Sequence, residues 1–159
     1  MALLGASHLI TTSARPAALN RLKQLALGMD GRIARLAQAQ TWRAAVVTAD
    51  ARQLARWEAA IEAMPEPLRA GPYYVLGLGW AQRQAWEQAA LALLRVPILY
   101  PQHRTVAARS LLDAGRSLEK LDRPHQAAGL YRELMKDYPN SRSATEARAR
   151  LEELAGDGD

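Results

Sequence analysis

Apolar residues recur along this chain at intervals of three and four, with polar and charged residues between them. That spacing gathers apolar side chains on one face of a helix. Ile33, Leu36, Ala37, Ala44 and Val47 form one such face, and Leu54, Trp57, Ala60 and Ile61 form another. No segment alternates apolar and polar residues for more than a few positions, so strands are not expected. Nine helices are predicted, over residues 2–11, 15–27, 31–47, 51–63, 71–83, 86–99, 106–121, 123–137 and 143–155. Residues suited to helix starts sit at many of the boundaries. Ser13, Asp50, Thr105 and Asp122 precede helices as caps, and Pro16 and Pro124 fall in first turns. Ser143 and Glu146 have capping-box spacing. Pro65, Pro67, Pro101 and Pro139 stop helices, and Pro97 is expected to kink the sixth or end it early. The expected fold class is all-α.

The second half nearly repeats itself after 38 residues. Gly77 returns as Gly115, Gln88 as Gln126 and Arg104 as Arg142. Ala89-Ala90 returns as Ala127-Ala128, and Tyr100-Pro101 as Tyr138-Pro139. A fixed period of about 20 to 50 residues signals a stacked array. One such unit cannot bury its own apolar face, so stacking supplies the core and leaves a long curved surface for binding. Gly77, Ala89, Gly115 and Ala127 fall where paired helices must come close, and a larger side chain there would push the axes apart.

The spacing resembles the tetratricopeptide repeat (TPR). The matching residues are Tyr73, Leu76, Gly77, Trp80, Ala89, Leu93 and Pro101 in one unit, and Leu111, Ala114, Gly115, Leu118, Ala127, Tyr131 and Pro139 in the next. Intervals from Gly to Ala, Ala to the large residue, and the large residue to Pro agree between the two. Residues 2–69 match more loosely, through Leu4-Gly5 with His8, Ala17 or Ala18, and Ala39, Trp42 and Ala51. The resemblance implies one right-handed α-solenoid domain over residues 1–155. It would hold four antiparallel helix pairs, about 2–29, 31–64, 70–103 and 108–141, with a capping helix at 143–155 and a disordered tail at 156–159. Units joined by a Tyr-Pro turn are most similar to bacterial envelope TPR proteins, which would place the chain in a cell envelope; without that likeness the cytoplasm stays open.

Composition narrows the chemistry. The 159 residues include no cysteine, which excludes disulfides, thiolate nucleophiles and cysteine-ligated metals. No apolar stretch approaches the ~20 residues of a membrane span. Met1 to Gly5 has no basic leader, and helical patterning from Ala2 without a cap suggests a chain cut from something longer. Net charge is +5, with nine Lys/Arg against five Asp/Glu in residues 1–69 and twelve against eleven in residues 70–159. This permits an acidic partner without demanding one.

Such arrays bind peptides along a concave face lined by the first helix of each pair. Here the resemblance implies Tyr74 and Leu78, then Arg109, Leu112, Arg116 and Lys120, then Arg150: two apolar anchors beside a basic strip, suited to an amphipathic or acidic segment. Asn20 and Asn140 are misplaced for gripping a terminal carboxylate. Trp80 reads as core, as do Trp42 and Trp57, while Trp86 reads as exposed. Tyr100 and Tyr138 read as plugs between units. The alternative for the basic strip is a solvated helix face. His8, His103 and His125 lack zinc-ligand spacing, Gly77-Leu78-Gly79 lacks the third glycine of a dinucleotide loop, and Glu152-Glu153 diverge on a helix. The expectation is therefore no catalysis, cofactor or metal, and a protein or peptide partner. A nucleic-acid-binding solenoid and a self-associating architectural module are the other two readings; mixed charge along the helices and the lack of a recurring base-reading pair disfavour the first.

Overall fold

A computed structural model of the chain describes residues 2–3 and 13–156. Among them the chain is all-helical, with no strand. After the helical pair Ala2 and Leu3, the elements are α1 (Arg15–Ala26), α2 (Gly31–Ala45), α3 (Ala51–Glu62), α4 (Ala70–Gln82), α5 (Trp86–Leu99), α6 (Arg104–Glu119), α7 (Pro124–Asp137) and α8 (Arg142–Gly156). A short 3-10 turn, Glu66–Leu68, precedes α4. The rest of the expected first helix, with Leu4, Gly5 and His8, and the tail beyond Gly156 lie outside the described residues.

Contacts divide the chain into two compact units, residues 1–49 and 50–159. The division falls inside residues 31–64, which the repeat spacing grouped as one pair. In the first unit α1 packs on α2 around Leu22 and Ala37. Arg15 on α1 donates to the Ala44 carbonyl on α2 at 3.1 Å. In the second unit each helix packs on the next, and α6 also touches α4 and α8. Helix α4 is apolar around most of its circumference and is covered accordingly, burying Tyr73, Val75, Leu76, Gly77 and Gly79.

Several helix starts differ from the sequence expectation. Asp50 does cap α3, accepting from the Gln53 N–H at 2.7 Å. The cap of α2 is Asp30, whose carboxylate accepts from the N–H groups of Arg32 and Ile33. Neither Ser13 nor Thr105 caps: Ala14 and His103 hold those positions, and Thr105 lies inside the first turn of α6. Asp122 is not the cap of α7, because Pro124 begins that helix and Arg123 precedes it. Ser143 is inside α8, and Ser141 instead accepts from the Ala144 N–H at 3.1 Å. Pro97 stays inside α5, which runs on to Leu99 with Pro97 buried. The lost hydrogen bond falls in the last turn, where few bonds remain to be broken.

The pairs close where a Cβ is missing. A Cβ on Gly77 would lie 2.5 Å from Leu93 Cγ and 3.3 Å from the Ala89 carbonyl oxygen. One on Gly115 would lie 2.7 Å from Tyr131 Cζ, with Cε1 closer still. Ala89 and Ala127 are fully buried. The third such place, Gly79 against Leu54 Cδ2 at 2.5 Å, joins α4 to α3.

The 38-residue sequence period is also a period of geometry. Gln84 (φ 59°) and Asp122 (φ 58°) are left-handed residues at equivalent positions after α4 and α6. The following N–H groups, of Ala85 and Arg123, reach back to the carbonyls of Trp80 and Leu118, both at 3.0 Å. These bonds satisfy carbonyls that the helix end leaves open. Tyr100 and Tyr138 close α5 and α7 with φ of −134° and −131°, and each donates its N–H four residues back. Both rings are buried, as expected of plugs, and Tyr100 stacks on Tyr73 at 6.2 Å between centroids. Pro101 and Pro139 follow at exposed turn positions. Leu118 is buried, but Trp80 at the equivalent position is only half-buried, since an indole outgrows the space that a leucine fills. Trp86 is half-buried too, whereas Trp42 and Trp57 are in the core.

Two stability predictions follow from this packing. Gly115→Ala should cost about 1–3 kcal/mol through overlap with the Tyr131 ring, whereas Gly129→Ala, with nothing within 4 Å, should gain up to about 1 kcal/mol of helix propensity. Urea unfolding of the two variants checks the opposite signs. The Ser110 hydroxyl is fully buried with no hydrogen-bond partner among the described residues. Ser110→Ala should therefore stabilise by about 1 kcal/mol, read as a higher melting temperature.

Candidate interaction surface

The seven residues expected on a binding face lie on α4, α6 and α8, except Lys120, which follows α6 as its cap. Leu112 is only 1% exposed, so it is a core residue and not an anchor for a partner. Its place on the stripe of α6 with Leu111 and Ala108 explains this: the helix buries a wide face because α4, α5, α7 and α8 all pack on it. Leu78 and Tyr74 are half-buried, and Arg109, Arg116 and Lys120 are exposed.

Acidic residues that sequence reasoning passed over turn the basic strip into a mosaic. The Tyr74 hydroxyl donates to Asp113 at 2.9 Å, joining α4 to α6. Burial and then the Asp113 charge push the Tyr74 phenol well above its ordinary range, keeping it a neutral donor. Arg116 contacts the same carboxylate at 3.1 Å and reaches across to Glu146 on α8 at 3.0 Å. Arg109 approaches Asp113 at 3.9 Å, and Arg142 approaches Glu146 at 3.4 Å. Three of these contacts have i,i+3 or i,i+4 spacing and were open to reading: Arg109–Asp113, Asp113–Arg116 and Arg142–Glu146. The cross-helix contacts had no local signal.

At the other end of the same helices Glu119 is the hub. It accepts from the Tyr131 hydroxyl on α7 and from the Arg150 guanidinium on α8, which also pairs with Glu153. Burial alone would raise the Glu119 carboxyl, but the hydrogen bonds from Arg150 and Tyr131 and the arginine charge outweigh it and hold the carboxyl below its ordinary value. Burial and Glu119 in turn push the Tyr131 phenol up. Arg150 thus ties α8 to α6 through the carboxylate that Tyr131 of α7 also shares, and it is half-buried.

Net charge follows the division into units. Residues 1–49 hold six Lys/Arg against one Asp, a net +5, and residues 50–159 hold fifteen against fifteen. All six cations of the first unit, Arg15, Arg21, Lys23, Arg32, Arg35 and Arg43, are exposed. Clefts open on the second unit. One of about 560 Å³ lies beside the first turns of α6 and α8 and is lined by Arg104, Arg109, Tyr138, Ser141, Arg142 and Glu146 among others. Another of about 530 Å³ is lined by Glu119, His125, Arg132 and Arg150, with Leu151 and Leu154 at its apolar side. Among the described residues no three His, Asp or Glu side chains gather as metal ligands, and no helix is long and apolar enough to cross a membrane.

The Glu119 hub gives a pH prediction. A carboxyl held below its ordinary 4.5 stabilises the fold above that value and loses the contribution as the pH falls through the folded-state value. The wild-type melting temperature should drop between about pH 5 and about pH 3 more steeply than that of Glu119→Gln. Parallel slopes in scanning calorimetry would contradict the assignment of Glu119 as a folded-state anion.

Compared with protein-family models, curated proteins and solved structures, the chain matches none.

Proposed function

We propose that residues 50–159 are a TPR-like stack of helix pairs acting as a non-catalytic scaffold, taking a peptide or helical segment of a partner along the surface made by α4, α6 and α8. The observation that carries this reading is the repeated geometry at 38 residues: Gly77 under Leu93 and Gly115 under Tyr131, with the same left-handed turn and the same tyrosine plug in each pair. A surface built on such rigid pairs is formed before the partner arrives, which lowers the ordering cost of binding. The interlocked charges from Asp113 to Glu146 favour a segment of mixed character along most of the surface, with Leu78 as the apolar contact. Affinity capture with the intact chain tests the reading. A genuine partner should be weakened about tenfold or more by Leu78→Gln with Lys120→Glu while circular dichroism stays unchanged. Capture unaffected by that pair would overturn the reading.

One observation favours a second reading, nucleic-acid binding through residues 1–49: the whole net charge of the chain sits there on exposed side chains. Binding of DNA or RNA that falls steeply between about 50 and about 200 mM salt would support it.

A further inference from the structure

Three arginines face the cleft of about 560 Å³ beside α6 and α8, and the one carboxylate on its lining is Glu146. The lining therefore carries a local charge of plus two on a unit whose net charge is zero. Other arginines of this unit hold carboxylates closely: Arg95 has Glu58 at 2.5 Å, Arg116 has Asp113 and Glu146, and Arg150 has Glu119 and Glu153. The cleft arginines are held differently. Arg104 is positioned without a carboxylate contact among the described residues. Its guanidinium lies 5.0 Å above the Tyr138 ring and donates through Nη2 to the Asp137 carbonyl at 2.8 Å. Arg109 is 59% exposed with Asp113 at 3.9 Å, and Arg142 is 92% exposed with Glu146 at 3.4 Å. Glu146 is already shared with Arg116, so it cannot saturate the cleft.

We infer that this cleft takes an oxyanion carried on a partner protein, either the carboxylate of Asp or Glu or the phosphate of a modified side chain. The inference rests on the scaffold reading and adds the chemistry of one contact. Guanidinium donors suit both anions because their fixed fork matches two oxygens at once. Arg104 sits at the first position of α6 and Arg142 at the first position of α8, so the positive ends of both helices add to the same field. A peptide fits better than a nucleic acid. Residues 50–159 carry no net charge to draw a phosphate backbone, and Tyr138 is covered by Arg104 and closed to base stacking.

The experiment is a heteronuclear NMR titration of the intact chain with three short peptides of one sequence. One carries glutamate, one phosphoserine and one glutamine at the same position; inorganic phosphate and a short single-stranded oligonucleotide serve as further probes. Saturable shifts at the first-turn amides of α6 and α8 with the glutamate or phosphoserine peptide, and not with glutamine, support the cleft. Which anion saturates first identifies the source. Arg109→Gln with Arg142→Gln, two exposed changes that leave Arg104 and its stack in place, should weaken that binding about tenfold or more. Equal shifts with the glutamine peptide, no saturable shift with either anionic peptide, or a stronger response to the oligonucleotide would overturn the inference. A captured partner indifferent to Arg109→Gln with Arg142→Gln would also sink it while leaving the scaffold standing. Failure of the scaffold reads out separately, as indifference to the Leu78 and Lys120 changes.

Discussion

Helices in residues 70–137 meet where one of them has no Cβ to offer. Gly77 lies against Leu93 and the backbone at Ala89, and Gly115 lies against the ring of Tyr131. A single methyl at either place would overlap a neighbour that is itself fully buried. Close-packed interiors yield little to such an intrusion, so these contacts fix how near the helices come and which residues face each other. The rest of the second unit builds outward from that spacing. Tyr100 and Tyr138 fill the ends of the pairs, and Gln84 and Asp122 accept an uncommon backbone conformation so that the next helix can return along the last.

Around this core the polar contacts join separate helices, several of them not neighbours in sequence. Tyr74 to Asp113 ties α4 to α6, Arg116 to Glu146 ties α6 to α8, and Glu119 gathers Tyr131 and Arg150 from α7 and α8. Exposed ion pairs contribute little singly. Here several share one carboxylate and lie partly buried, so they fix orientation as much as they stabilise. The consequence for binding is that Arg116 and Arg150 are committed to the protein itself. Arg109 on α6 and Arg142 on α8 are held less closely, at 3.9 and 3.4 Å from their carboxylates, and the six cations of residues 1–49 are exposed.

Much of the helical layout was legible. The bounds of α5 matched residue for residue, Asp50 capped α3, and the small residues at Gly77, Ala89, Gly115 and Ala127 stood where helices touch. The expected caps Ser13, Thr105 and Asp122 failed because the helices start one or two residues away from them, with no side-chain cap. Ser141 capped α8 in place of Ser143, and Asp30 capped α2 where no cap was expected, because backbone geometry at the turn decides which side chain can reach an open N–H. The candidate surface was legible only in part. Leu112 followed the helical spacing of a surface stripe, yet packing of four helices on α6 placed it in the core.

The sequence by itself determined the helices and the points of closest approach, because a 3.6-residue period and the absence of a Cβ are local properties that need no partner to be read. Only the tertiary structure decided which charges are spent inside the protein. Asp113, Glu119 and Glu146 meet arginines and tyrosines some 12 to 39 residues away, and electrostatic attraction acts on distance in space, which linear spacing does not encode.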